Sequence, residues 1–388
     1  MSHLLEEYAK NLGVKIAKPT VAKHFYPLLA DKYITVYSEH STESKKYQHF
    51  NIVFDLIKNS LGKSGIKVVQ IGAKENTIIP NIDACYGDLT FKQNAYILSK
   101  SLLHVGVDNV FSHYASSLNL PLISIFGNIY PKVSDGFWSA KDRKVNIESP
   151  WKEKPCLNLV DPENAINKIK PEVIAQSILD QLKINSKVNI KTVHLGASFK
   201  DKIMEVVPNF FQPYQELKDQ LIYLRLDYGF DVNSFMQWCQ WSNVSIISDK
   251  LIPLNILDQI HSRVKNISFI IGENTHLDDF YIKNLKSKKI NFQILVKDQN
   301  LIPEIQEKYF EVQVRPYKTP KKEDLTEQPI NINNTFFTSG KTILSNEKRY
   351  PSKYHWQKDE NIVDKNLNMV DDDVFYEELN HYFIYERI

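Results

Sequence analysis

From Tyr33 onward the chain alternates two hydrophobic rhythms. Short β-branched and aromatic runs, "YITVYS" (33–38), "KVVQIGA" (67–73), "LLHVGV" (102–107) and "LISIFG" (122–127), predict strands. Between them, "HFNIVFDLIKNSLGKSG", "LTFKQNAYILSKS" and "VFSHYASSLNL" carry apolar residues at helical spacing and end at Gly or before Pro. A first helix over 3–12 is stopped by Gly13, and another is predicted over 171–184. Strand and helix in regular alternation argue for a parallel sheet with helices on both faces.

After "NSKVN" (185–189) the alternation restarts. "TVHLGA", "LIYLRLDYG", "NVSIISD", "ISFIIGE" and "NFQILVK" predict five more strands, with "NILDQIHSRV" and "LDDFYIKNLKSKK" as helices between them. The expected fold class is α/β, with two Rossmann-like domains over 1–185 and 188–316. The charged, Pro-bearing "YKTPKKEDLTEQP" (317–329) reads as a linker. The tail beyond it shows no clear period. Its end, "VFYEELNHYFIYERI", is too aromatic to stay solvated and is expected to pack back onto the first domain.

Composition narrows this picture. Of 388 residues, 43% are hydrophobic and 24% charged, ordinary values for a globular protein. A net charge of +2 and the lack of a long Lys/Arg block give no nucleic-acid signal. Cys85, Cys156 and Cys239 are far apart, which points to a reducing compartment. No apolar run approaches the ~20 residues of a membrane helix. The first residues do not read as a signal peptide. A cytoplasmic protein without a transmembrane segment is the expectation.

The stretch richest in candidate chemistry is "VGVDNVFSHYASSLNLPLISIFGNIYP" (105–131). A buried-type strand stops at Asp108-Asn109 and a helix carrying Ser112 and His113 starts at once. Ligands of open α/β sheets bind outside the strand carboxyl ends. Asp and Asn are good N-caps, and a helix N-terminus offers N–H groups and a positive dipole end to an anion such as a diphosphate. Each residue also has a plainer reading. Asp108 serves as a cap, His113 as a half-buried helix histidine and Lys45 as a solvated loop lysine. Tryptophans 138, 151, 238 and 241 belong to cores more often than to sugar platforms. "YHW" (354–356) with His381 has no metal-ligand spacing, and no Walker loop, GxGxxG, HExxH or nucleophile elbow occurs.

The stretch resembles glycosyltransferase family 9, the ADP-heptose:lipopolysaccharide heptosyltransferases. The matching positions, without a gap, are Gly106, Asp108, Ser112, His113, Ala115, Pro121, Phe126, Gly127 and Pro131. Upstream, "YITVYSEHSTESKKYQHFNIVFDLI" is similar to the family's strand, Lys-x-Trp loop and helix, with Lys45 on the lysine and Tyr47 on the Trp. "VVQIGAKEN" resembles its next strand and Gly loop, with Glu75 on a common Glu. The resemblance covers about residues 1–185. It implies the sugar-nucleotide half of a GT-B glycosyltransferase, with a nucleotide-sugar donor as substrate, no cofactor and no metal. It assigns Lys45, Glu75, Asp108, Asn109, Val110, Ser112 and His113 to donor binding, with Lys45, Asn109 and nearby amides on the diphosphate. Sugar would pass to an acceptor, a glycan or another molecule.

The sequence also departs from the family. The family's Thr-Gly is Asn109-Val110 here, which puts a side chain where glycine lets a phosphate approach. Its Thr-Asp before the last Pro is Ile129-Tyr130. The family places the acceptor domain first. Here the second α/β domain follows, so either the halves are permuted or the acceptor half is lost and the second domain is unrelated. "VHLGASFKDKIMEVVP" loosely echoes the loop that carries the family's proposed base, which makes Asp201 the catalytic candidate. Two other readings stand beside the transferase: an inactive GT-B-like binding or structural protein, and a nucleotide-sugar hydrolase or epimerase on the same fold.

Overall fold

The computed structural model describes every residue except 1, 29, 40, 73–77, 151–153, 159–160, 162–163, 219, 272–276, 326–329 and 363–366. Its contacts divide the chain into two units, 1–192 and 193–387, with Ile388 grouped with the first. The protein is mixed α/β with parallel sheets.

In the first unit, helix α1 (Leu4–Leu12) precedes β1 (Tyr33–Tyr37), α2 (Phe50–Lys63), β2 (Lys67–Ile71), β3 (Ala84–Tyr86), α3 (Phe91–Lys100), β4 (His104–Val107), α4 (Val110–Ser117), β5 (Leu122–Phe126), α5 (Pro131–Ser134), β6 (Lys144–Glu148) and α6 (Pro171–Gln181). The six strands are all parallel in the order β3-β2-β1-β4-β5-β6. This is the strand order of a doubly wound nucleotide fold. The helices form where the apolar rhythm demands. α2 buries Phe50, Val53, Phe54, Ile57 and Leu61 from one face. α3 begins at a Thr90–Gln93 capping box. The middle strands β4 and β5 are buried at every position, as a sheet covered on both faces requires.

Strand β7 (Ile190–Leu195) spans the division between the units. The second unit continues with β8 (Ile203–Val206), β9 (Ile222–Arg225), α7 (Val232–Trp241), β10 (Val244–Ser248), α8 (Leu254–Ile260), β11 (Val264–Ile271), α9 (Asp279–Ser287), β12 (Asn291–Val296), α10 (Ile302–Lys308) and β13 (Gln313–Pro316). Then come β14 (Thr335–Ser339), β15 (Lys341–Ser345), β16 (Lys348–Tyr350), α11 (Lys353–Gln357), β17 (Leu367–Asn368), α12 (Asp373–Tyr376) and β18 (Tyr382–Arg387). Its main sheet runs β13-β12-β11-β10-β9-β8-β15-β16. Every pairing in it is parallel except β15 with β16. A second, four-stranded sheet runs β17-β14-β18-β7.

The tail through Arg387 groups with the second unit, and Ile388 with the first. Its strand β15 lies beside β8 in the main sheet, and Phe337, Phe375, Tyr382 and Ile384 form a core of their own. The aromatic count indicates burial without naming its partners, because pairing partners far apart in sequence leave no local period. The strand β8 goes unrecognised in "KDKIMEVVP". It is only four residues long, and its Glu205 faces a buried ion-pair network instead of solvent.

Candidate functional site

The first sheet reverses its winding between β1 and β4: the chain leaves β1 toward β2 and leaves β4 toward β5. A crevice opens outside the carboxyl ends of two such strands. Lys45 follows β1 and Asp108 follows β4, so strand order alone brings together two residues 63 positions apart.

The Lys45 loop is clamped in place. The Ser44 hydroxyl donates to the Asn158 carbonyl at 2.9 Å and accepts from Asn128 Nδ2 at 3.0 Å. The Tyr47 hydroxyl donates to the Ile169 carbonyl. Gly127 permits the contact, since a Cβ there would lie 2.3 Å from the Ser44 carbonyl oxygen. Lys45 Nζ then donates to Asp108 Oδ2 at 2.8 Å. On the other carboxylate oxygen, Ser134 Oγ donates at 3.0 Å and His113 Nε2 lies 3.2 Å away. Burial by itself would raise the Asp108 pKa. The hydrogen bond with His113 and the charge and hydrogen bond of Lys45 outweigh it and hold the carboxyl at about 2. Asp108 is therefore an ionised, nearly buried hub, while Lys45 and His113 keep 19% and 33% of their side-chain surface.

Asn109 takes the N-cap position that its residue type suggests. Its side-chain oxygen accepts from the backbone N–H groups of Phe111, at 2.9 Å, and Ser112, at 3.1 Å. It caps α4 and occupies amides that an incoming anion would use. Its Nδ2 is buried with no protein partner among the described residues. The Ser112 hydroxyl turns inward and donates to the Val107 carbonyl. Val110 is 54% exposed. With His113, Phe91, Tyr8, Trp138 and His3 it lines a largely apolar cavity of roughly 300 Å³ beside the Asp108 hub. Asp201 is exposed in the turn before β8 in the second unit. Glu75 and Trp151 lie outside the described residues. Trp238 is fully buried core.

The sequence reading missed Ser134, Ser44 and His3. Ser134 ends a four-residue helix begun by Pro131, just beyond the motif, and nothing local marks it. His3 caps α1, and its Nε2 lies 3.1 Å from the Asp135 carbonyl oxygen. Among the described residues, no three His, Cys, Asp or Glu side chains cluster as a metal site, and no helix is long and apolar enough to cross a membrane.

Several solved heptosyltransferases are similar to the chain. For WaaC of E. coli with ADP, identity is 17% over 45% of this chain and 54% of that one, at a TM-score of 0.32. For the E. coli ADP-heptose lipopolysaccharide heptosyltransferase II the figures are 14%, 46%, 50% and 0.31. For the dodecameric iron-containing heptosyltransferase TibC of enterotoxigenic E. coli, in complex with ADP-D-β-D-heptose, they are 13%, 44%, 51% and 0.36. The chain spans about half the length of these proteins. Comparison with curated proteins finds no match. Residues 5–167, which include β1 to β6 and the whole Asp108 hub, match glycosyltransferase family 9 (heptosyltransferase).

Proposed function

We propose that the protein is a glycosyltransferase whose first unit holds a nucleotide-sugar donor and which passes the sugar to an acceptor. One observation carries the reading. Lys45, His113 and Ser134 converge on Asp108 at the switch point of a doubly wound sheet, within the segment that matches family 9. In this proposal the diphosphate draws the Lys45 ammonium from Asp108, and the charge-assisted contact stabilises the departing nucleoside diphosphate. Asp108 keeps His113 oriented toward the donor sugar. Two of the similar structures hold ADP or ADP-D-β-D-heptose, which makes an adenine nucleotide the first donor to try. Asp201 is the base in this reading, and the acceptor side belongs to the second unit in a GT-B arrangement.

A second reading has its own support. Asn109 already occupies two amides of α4, and Val110 stands exposed where the family has glycine. A protein that binds a sugar nucleotide without turning it over would tolerate both. Calorimetric titration of ADP, UDP and GDP into the parent and Lys45→Ala separates the cases. Binding lowered about tenfold or more by the substitution supports the site, and release of free sugar or transfer from ADP-sugar supports catalysis. No nucleotide binding at millimolar concentration removes both readings.

A further inference from the structure

The second unit contains a charged cavity that the donor reading leaves unused. It has a volume of roughly 190 Å³ and opens on the face of the main sheet turned away from helices α7 to α10. Side chains alternate along each strand, so Met204, Val206, Ile222 and Leu224 enter the helix-covered core. Glu205 and Arg225 face the other way, and the tail covers them. Arg225 Nη1 donates to both Glu205 oxygens, at 2.9 and 2.8 Å, while Nε and Nη2 hold Asp227. Lys341 Nζ lies 2.9 Å from Glu205 and 2.6 Å from Glu378. The other Glu378 oxygen accepts from the Lys353 amide and the Tyr382 hydroxyl.

Charged groups buried to this degree are a poor means of stabilisation, since well-packed apolar side chains would serve as well or better. Clusters of this kind in a cavity point to function. The balance of charge indicates the ligand. Arg225, Lys318, Lys341 and Lys353 line the cavity with Glu205, Glu377 and Glu378, and Asp227 completes the pairing of Arg225. Four cations stand with four anions. Arg225, Lys341 and Lys353 are each already paired, so a charged ligand seated on this buried network would have to break a pair, while Lys318 stands exposed at the rim and makes no ion pair among the described residues. Hydroxyl groups, which both donate and accept, can add to these pairs without displacing them.

Donors and acceptors remain for such a ligand. Lys341 uses two of its three N–H groups on protein. His381 Nδ1 is buried without a protein partner among the described residues. Tyr228 also lines the cavity, its ring packed on the Arg225 guanidinium, 3.7 Å from its centroid, and stacked with Trp356. The volume is below that of pockets for drug-sized ligands and suits a single small ring.

We infer that this cavity binds one neutral, polyhydroxylated ring, a hexose or similar sugar residue, through hydrogen bonds to the Glu205–Arg225–Lys341–Glu378 network and His381. A neutral sugar is also an acceptor class that the proposed transferase could use, and only that link rests on the transferase reading. The site is tested without nucleotide, so its failure is distinct from failure of the donor site.

The experiment is saturation-transfer NMR on the full chain with glucose, galactose, mannose and N-acetylglucosamine, against glucuronate and glucosamine as charged analogues. Thr319 lines the cavity at its exposed side, so Thr319→Trp puts a large ring at the mouth and leaves every network residue unchanged. At least one neutral sugar is expected to bind, with the charged analogues about tenfold weaker or worse and no signal in Thr319→Trp. His381→Ala should weaken binding by about tenfold, and it decides the matter if the Trp variant does not fold. Absence of neutral-sugar binding, equal binding of charged analogues, or parent-like binding in the variants overturns the assignment.

Discussion

Each unit gathers its charges against one parallel sheet, but the two clusters are built differently. In the first unit, Lys45, His113 and Ser134 surround one acid at a strand end, and the Lys and His remain partly open. In the second, Glu205, Arg225, Lys341 and Glu378 lie on a sheet face with at most 7% of any side chain exposed. Topology accounts for the contrast. The first sheet reverses between β1 and β4, which leaves a crevice outside the strand ends. The second winds steadily from β8 to β13, and the tail then returns to place β15 beside β8. An open cluster can exchange a partner for a ligand. A closed one can only accept a ligand that leaves its pairs intact.

The sharpest way to break this comparison is Lys341→Met. It leaves Glu205 and Glu378 without their shared cation, and a broken buried pair costs about 3–5 kcal/mol. Denaturant titration should show the second unit's transition shifted by that amount. A loss below about 1 kcal/mol would mean the network is effectively solvated.

The first unit has its own buried titratable group, unlike those of the second. His104 in β4 is fully buried and pairs with the Thr35 hydroxyl. Burial drives its pKa down to about 3, and the Thr35 hydrogen bond only partly opposes this. The folded state binds the proton less readily than the unfolded chain. The stabilising contribution is therefore complete above about pH 6.5 and is lost as pH falls toward 3, by about 5 kcal/mol in all. His104→Gln should flatten the stability curve of the first unit across that window. An unchanged curve would place the acid sensitivity elsewhere.

Asp108→Asn comes next. A carboxyl held at about 2 by His113 and Lys45 contributes about 2 kcal/mol above pH 4, and the contribution disappears as pH falls toward 2. At neutral pH the variant should be less stable by that amount, and near pH 2 it should match the parent. Denaturation at both pH values checks this.

The smallest stability effect belongs to Lys45→Ala. Its ammonium is partly solvated, so the cost should stay within about 1 kcal/mol. A thermal scan near the parent's, combined with weakened nucleotide binding, would mark Lys45 as a ligand-facing group. A loss as large as that of Lys341→Met would make the two clusters equivalent and end the comparison.

Much of the first unit was legible in its sequence. The apolar runs gave β1, β2, β4 and β5, and the ungapped motif singled out Asp108 and His113. The tail was not legible in the same way. β14, β15 and β18 pair with residues far away in sequence, and their mixed aromatic and polar composition shows no period. Asn109 was legible as a helix cap, but the use of its side chain was not. Its oxygen is taken up by the Phe111 and Ser112 amides, while Nδ2 keeps its donor capacity with no protein partner among the described residues.

The sequence by itself determined the alternation of strands and helices, the restart near residue 188 and the turn where β4 hands over to α4. These follow from local rhythm and capping chemistry, which act over a few residues. Only the tertiary structure decided that Lys45, Ser134 and Asp108 meet, that Glu205 shares its charge with Arg225 and Lys341, and that the tail closes the second sheet. Those outcomes depend on strand order. Strand order is set by the packing of whole faces and by the pairing of buried charges across long stretches of chain, and no local pattern encodes it.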